Sequence, residues 1–144
     1  MHKTNHDPVD AFLCFALYST SLSMTQRYKP MLEAIGVTYP QYLVLLVLWH
    51  QQGLGIKDIA ERLHQDPGSI TPLVKRLEAQ GYVSRRRDAA DERNVIVTLT
   101  PAGEALRARS CEIRDSITAA CGASNAELDA MVASLLKLRA QLTP

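Results

Sequence analysis

IKDIAERLHQDPGSITPLVKRLEAQGYVSRRRDAADERNVIVTLT, running from Ile56 to Thr100, is the stretch whose reading decides the fold. In its first part Ile56, Ile59, Ala60 and Leu63 recur at the spacing of one buried helix face, with Lys57, Asp58, Glu61 and Arg62 on the opposite side. A second amphipathic segment, Asp66 to Gln80, aligns Ile70, Leu73, Val74 and Leu77 on one stripe. That leaves Gly68, Pro72, Lys75, Arg76 and Ala79 pointing outward. Two starts are open for this helix. Asp66 and Pro67 form a good cap and first position but leave Pro72 inside the helix, whereas a cap at Ser69 puts Pro72 in the first turn. Gly81 supplies the stop.

Beyond Gly81, Tyr82 to Arg86 and Val95 to Leu99 read as two strands, with Val95, Val97 and Leu99 alternating inward, joined by the loop Arg87 to Asn94. Two helices followed at once by a basic hairpin describe a winged helix-turn-helix, a DNA-reading architecture, and the loop is its wing. Ser69, Thr71, Lys75 and Arg76 are then the recognition-helix residues expected at bases and phosphates. Arg85, Arg86, Arg87 and Arg93 are expected where a wing meets the backbone or minor groove, since arginine suits phosphate forks and narrow grooves, with Arg85, Arg86 and Arg93 taken as the DNA-binding set. Asp91 supports the wing by orienting Arg93. A plain helical hairpin with solvated charges is the competing reading of residues 56 to 81.

Around this stretch, the 144 residues suffice for one domain, and 47% apolar content supports a packed core. The expected fold is mainly α with a small β-hairpin. It is read as one domain over 1–144, with residues 38–100 as the DNA-binding lobe and residues 1–37 and 101–144 as N- and C-terminal dimerisation helices. The net charge of +1 argues against indiscriminate nucleic-acid binding, so the position of the cations must matter more than their sum. Asp7 and Pro8 are expected to cap a long helix reaching about Tyr28, apolar nearly all round between Ala11 and Tyr18. Such a helix needs cover on several sides, and a second subunit supplies it. Pro30 and Gly36 break the pattern. Thr38 and Gln41 form a capping box for the helix Tyr39 to Gln51, and Gly53 and Gly55 close it.

After the wing, Thr100 and Pro101 cap a helix with Leu106, Ile113 and Ile117 on its apolar face, ending near Cys121. Ser124 and Glu127 form a second capping box, followed by the amphipathic run Leu128, Met131, Val132, Leu135 and Leu142. These helices read as a dimerisation arm, packing on their own subunit being the alternative. Met1 to Asp7 has no apolar run behind a basic region, and no stretch reaches the length of a membrane span, so no membrane partner and a cytoplasmic location are expected. Cys14, Cys111 and Cys121 are too few and too scattered for a secreted disulfide framework. His2, His6, His50 and His64 have no ligand spacing, so neither a metal nor a cofactor is expected.

Several runs carry a resemblance: Leu13-Cys14-Phe15 with Tyr18, Tyr28-Lys29-Pro30, Thr38-Tyr39-Pro40-Gln41-Tyr42, Gly68-Ser69-Ile70-Thr71-Pro72-Leu73 and Asp91-Glu92-Arg93. With these the chain resembles, over nearly its whole length, the MarR family of transcriptional regulators and within it the organic hydroperoxide resistance repressors. The resemblance implies a homodimeric repressor of double-stranded operator DNA, not an enzyme. In it Cys14 is the redox-sensing residue, oxidised by organic hydroperoxides, and its thiolate is held by the hydroxyls of Tyr28 and Tyr39, with Tyr18 close by. Hydroxyl donors aimed at sulfur favour the reactive anion. It further implies a resolving cysteine near the C-terminal helices. Cys121, beside Gly122 at a helix end, is the better placed candidate; Cys111 sits mid-helix among Glu104, Arg107, Arg114 and Asp115. Oxidation would then join Cys14 to Cys121 of the other subunit and release the operator. Two rivals stay open: a repressor released by reversible binding of a small aromatic ligand, and a thiol peroxidase using Cys14 catalytically.

Overall fold

The computed structural model describes residues 8–144, so Asp7, His2 and His6 lie outside the described residues. In chain order the elements are α1 Leu13–Glu33, α2 Tyr39–His50, β1 Leu54–Gly55, α3 Ile56–Arg62, α4 Pro67–Ala79, β2 Val83–Arg87, β3 Val95–Leu99, α5 Pro101–Ala105, α6 Arg107–Ala120 and α7 Asn125–Leu142. Pro8–Ala11 is a single 3-10 turn ahead of α1.

Four expected boundaries are corrected. Pro8 does not open the long helix: it opens the 3-10 turn, and α1 begins at Leu13 after Phe12, which gives no side-chain cap hydrogen bond. Pro30 does not break α1; it lies inside it, and the helix runs on to Glu33. Proline's fixed φ is compatible with a helix, and what is lost is one N–H bond, here offset by the burial of Leu32 in the core. The chain leaves α1 at Gly36, whose φ of +73° suits glycine. Gly55 does not merely end α2: Leu54–Gly55 forms a third strand, so the hairpin is a sheet of order β1-β3-β2, antiparallel throughout. The helix after the wing is two pieces, α5 and α6, meeting at Leu106.

Other local expectations hold, one of them in part. Thr38 Oγ1 accepts from the Gln41 N–H at 3.4 Å and the Gln41 Oε1 accepts from the Thr38 N–H at 2.9 Å, closing both halves of the capping box. The second expected box is only half formed: Ser124 caps α7 by accepting from the Glu127 N–H, and no return bond from the Ser124 N–H to the Glu127 side chain is present among the described residues. The start of α4 is Pro67, the earlier of the two openings, with Asp66 as N-cap.

The core gathers where α2, α3, α4 and the sheet converge. Val44, Leu45, Leu48, Ile59, Ile70, Val74, Leu77 and Val97 have no exposure at all, and burying each stabilises by about 1.5–3 kcal/mol. α2 is the pillar of this lobe. The terminal helices differ sharply. α7 buries none of its residues against its own chain, leaving Met131, Val132, Leu135, Leu136 and Leu142 exposed. On α1 and just before it, Phe12, Leu13, Leu17, Tyr18 and Leu22 are exposed as well. Of the two helices after the wing, α6 thus packs inward on its own subunit through Ser110, Ile113 and Ile117, as the alternative reading has it, while α7 does not, and the apolar surfaces of α1 and α7 are left without cover.

Candidate DNA interface and thiol site

The recognition surface follows from how α4 divides its faces. Ile70, Val74 and Leu77 anchor it to the core, and Gly68, Ser69, Pro72, Lys75, Arg76 and Ala79 are exposed on the other side, with Thr71 at the margin. Thr71 Oγ1 donates to the Pro67 carbonyl at 3.1 Å, so its hydroxyl is turned back onto its own helix. The side chains of Lys75 and Arg76 make no hydrogen bond or ion pair among the described residues, and both are exposed. A small, cationic, unobstructed helix face is what a major groove admits.

The wing is built by β2 and β3, with Val83 opposite Leu99 and Arg85 opposite Val97. Its loop is tied down locally: Asp88 Oδ1 accepts from the Ala90 N–H at 3.0 Å, Asp91 Oδ1 from the Arg93 N–H at 3.1 Å, and the Glu92 carbonyl from Arg87 Nη1 at 2.7 Å. Asp91 thus orients Arg93 through its main chain, while the Arg93 guanidinium is exposed and unpaired among the described residues. Arg86 is equally free. Arg85 is not: its guanidinium is turned onto Glu78 of α4. The four arginines read alike from sequence therefore stand in two situations, Arg86 and Arg93 unpaired among the described residues, Arg85 held by Glu78 and Arg87 by the Glu92 carbonyl.

The thiol residues are distributed in a way the sequence did not reveal. Tyr28 and Tyr39 meet across α1 and α2 with ring centroids 5.0 Å apart, and Tyr42 joins them at 5.9 and 6.5 Å. Tyr42 was not singled out from sequence, although its place one turn after Tyr39 on α2 was the available signal. It sits on Trp49 at 6.0 Å and shares a 3.0 Å hydrogen bond with Ser110 of α6. Burial first, then the neighbouring phenols of Tyr39 and Tyr42 and the Cys121 thiol, push the Tyr28 pKa up to about 12, with Arg114 opposing them. Burial raises that of Tyr39 too, with Tyr42 adding to it. Both phenols consequently keep their protons, and their capacity to donate, well above neutral pH.

Cys121 acts on Tyr28 because α6 crosses α1 there. It lines a cleft of about 260 Å³ with Thr20, Ser23, Met24, Arg27, Ile117 and Ala120. Cys14 is elsewhere. It is exposed in the first turn of α1, fourteen residues before Tyr28, which is about 21 Å along a helix axis. Tyr18, one turn after Cys14, is 64% exposed and apart from the other tyrosines. All three cysteines are free thiols, and Cys111 is exposed beside His50, Arg107 and Arg114. One chain thus pairs Tyr28 with Tyr39, places Cys121 on the Tyr28 side of α1, and holds Cys14 far from them.

Among the described residues there is no His, Cys, Asp and Glu group that could hold a metal ion, and no helix is long and apolar enough to cross a membrane.

With this geometry in place, the similarities to known proteins can be read. The sequence profile of the transcriptional regulators SarA/Rot matches residues 26–109. The chain is 39% identical over 137 residues to the organic hydroperoxide resistance transcriptional regulator of Bacillus subtilis, covering 95% of this chain and 93% of that one. Among solved structures it is similar to AbfR of Staphylococcus epidermidis. Reduced AbfR bound to DNA superposes with a TM-score of 0.79 at 33% identity, covering 90% of this chain and 89% of that one. Disulfide-formed AbfR superposes less closely, with a TM-score of 0.63 at 34% identity over 90% and 86% of the two chains.

Proposed function

The chain belongs to the MarR family of winged-helix transcriptional regulators, and on that premise we propose that it is a homodimeric repressor of operator DNA whose release is triggered by organic hydroperoxides at Cys14. In this reading residues 38–100 are the DNA-binding lobe, and residues 1–37 and 101–144 are the dimerisation arms.

The observation that carries the proposal is the split thiol site. Tyr28 and Tyr39 are paired on one chain with Cys121 near Tyr28, while Cys14 stands about 21 Å up the helix on an apolar surface that a single copy leaves uncovered. A second copy seated on the exposed surfaces of α1 and α7 can cover them and bring its Cys14 to these phenols. Both hydroxyls then donate to the sulfur and favour its anion. The thiolate attacks the terminal oxygen of ROOH. An S–O bond forms, the O–O bond breaks, and the alkoxide takes a proton and leaves as an alcohol, the sulfur being oxidised by two electrons. The Cys121 thiol of the partner subunit next attacks the sulfenic sulfur, forming S–S and releasing water. Within one chain the bond is out of reach: Cys121 faces Thr20 to Arg27, six to thirteen residues or about 9–20 Å along α1 from Cys14, and a disulfide needs Cα atoms within about 7 Å.

Release follows if the crosslink changes the spacing of the two recognition helices, which must fit half-sites one helical turn apart. A hundredfold fall in affinity requires a difference of only about 2.7 kcal/mol between the two states. The weaker superposition on disulfide-formed AbfR than on its reduced, DNA-bound form supports a change of shape within the subunit on crosslinking.

The test is an operator mobility shift with cumene hydroperoxide and then dithiothreitol, alongside non-reducing gels. The expected result is release on oxidation, a crosslinked dimer, and recovery on reduction. A Cys14→Ser protein that still releases DNA on peroxide treatment would overturn the proposal, and a Cys121→Ser protein that still crosslinks fully would remove Cys121 from it. Peroxide consumption should stop at about one equivalent per Cys14 without added reductant; sustained turnover would favour a peroxidase. One observation favours a second reading, release by a small aromatic ligand. A cleft of about 320 Å³ opens between α1 and α2, lined by Thr25, Gln26, Lys29, Leu32, Glu33 and Tyr39 among others. Ligand-induced release that persists in Cys14→Ser would support it.

A further inference from the structure

The ion pairs among the described residues are of two kinds. Arg107 with Glu104 and Arg109 with Glu112 are neighbours in sequence, exposed, and joined at 3.6 and 3.8 Å; such pairs contribute little. The third joins different elements. Glu78 lies in the last turn of α4 and Arg85 in the middle of β2, and both carboxylate oxygens are engaged. Oε2 accepts the Arg85 main-chain N–H at 2.9 Å, and Oε1 accepts Nε at 3.1 Å and Nη2 at 3.0 Å. The bonds from Arg85 hold the Glu78 carboxyl below the usual carboxylate range.

The place of this contact gives it a consequence for DNA reading. Upstream of Glu78, one turn back on the same helix, are Lys75 and Arg76. Downstream of Arg85 are Arg86 and the loop that carries Arg93. The two halves are joined by a short turn around Gly81, whose φ is +84°. β2 is an edge strand with β3 on one side only, and the Arg85 N–H is directed to Glu78 instead of to a neighbouring strand. The base of the wing is fixed by Val83, Val97 and Leu99 in the core and by β1 alongside β3, whereas the outer edge of β2 has no strand beyond it and is tied to α4 across the Gly81 turn by Glu78. The carboxylate spans that turn.

We propose that Glu78 is a positioning residue for the DNA-reading surface: by clamping Arg85 at both main chain and guanidinium, it sets the wing at a defined angle to the recognition helix and withdraws Arg85 from contact with DNA. Groove and phosphate contact by the wing then falls to Arg86 and Arg93.

The clamp makes an expectation opposite in sign to simple electrostatics. Removing a carboxylate beside a polyanion, and freeing an arginine in the process, should tighten DNA binding if Arg85 were a DNA contact. The experiment measures binding of the full-length protein to a duplex selected by the wild type from a random-sequence pool, across a range of salt concentrations. Glu78→Gln should weaken specific binding about tenfold while leaving binding to unrelated duplex unchanged or tighter. Arg85→Lys keeps the charge and loses the fork. It should weaken specific binding about as much, and the double variant should be no worse than either single one, because one contact is lost in all three. Hydroxyl-radical footprints of Glu78→Gln should lose the wing's protection and keep that of the recognition helix. Melting temperature and dimer mass, read in parallel, separate this from unfolding. Glu78→Gln binding as tightly as the wild type or more so, or Arg85→Lys binding as the wild type while Arg85→Gln loses affinity and about one unit of salt slope, would overturn the proposal.

Discussion

Gly103→Ala is expected to destabilise the chain far more than its single added methyl suggests. Gly103 is buried in the first turn of α5, where its N–H donates to Thr100 Oγ1 at 3.2 Å and its carbonyl accepts from Trp49 Nε1 at 3.0 Å. A Cβ at this position would lie 2.1 Å from the Tyr82 carbonyl oxygen, 3.0 Å from its carbon and 3.2 Å from Leu99 Cδ2. The obstacle is backbone, and it is held: the Tyr82 oxygen also accepts the Thr100 N–H at 3.0 Å, just where the chain enters β2. Relief therefore means moving α5 or the base of the wing by about 1 Å. Overpacking of this kind costs about 1–3 kcal/mol, and the buried Trp49 N–H, if its partner moves away, adds about 1–3 kcal/mol. A loss of about 3–5 kcal/mol in a chain of this size lowers Tm by roughly 10 °C. The control is Gly53→Ala, where φ is +71° but nothing lies within 4 Å of the new methyl, so only backbone strain of about 1–2 kcal/mol is incurred. Differential scanning calorimetry of the two variants decides the matter. If Gly53→Ala melts as low as Gly103→Ala, or Gly103→Ala melts within about 2 °C of the wild type, the packing argument is refuted.

Three further expectations follow from the same geometry. Arg93→Ala removes an exposed, unpaired guanidinium; it should weaken operator binding about tenfold and lower the salt slope by about one, with dimer mass unchanged, and an unaltered slope would exclude the wing contact. Thr38→Ala removes one half of the capping box at the head of α2 and should cost about 1 kcal/mol in urea unfolding; no change in midpoint would mean that Gln41 alone suffices. Tyr28 holds its proton to about 12 in the fold against an ordinary 10.0. Its contribution is therefore fully present below pH 10 and lost as pH rises toward 12, because the unfolded chain releases the proton first. Phenolate absorbance should show a tyrosine titrating late, absent in Tyr28→Phe, and stability of the wild type should fall more steeply than that of Tyr28→Phe over this alkaline range.

Much of the architecture was legible residue by residue. The stripe of Ile70, Val74 and Leu77, the box of Thr38 and Gln41, and the alternation of Val97 and Leu99 are local patterns, and the forces that make them act over one turn or one strand. Where local signals compete, the sequence misled: Pro30 reads as a breaker, yet helix packing retains it within α1. The two-residue β1 has no period to detect, and it exists because Leu54 and Gly55 lie beside Val97 and Ile96.

The sequence by itself determined that this chain folds as a winged helix-turn-helix with a cationic reading face, and the runs around Cys14, Tyr28 and Tyr39 pointed to a thiol sensor. Only the tertiary structure decided which of those residues share a site. Tyr28 meets Tyr39 because α1 packs on α2, and Cys121 comes near Tyr28 because α6 packs on α1, while the rise of α1 carries Cys14 away from them. Likewise Arg85, Arg86 and Arg87 of one short strand are equivalent on paper, yet of the three only Arg86 is unpaired among the described residues: Arg87 bonds the Glu92 carbonyl of the loop, and the crossing of β2 past α4 sets Arg85 against Glu78. Periodicity sets which face a side chain takes; its partner across the fold depends on the angles between elements, which no local spacing encodes.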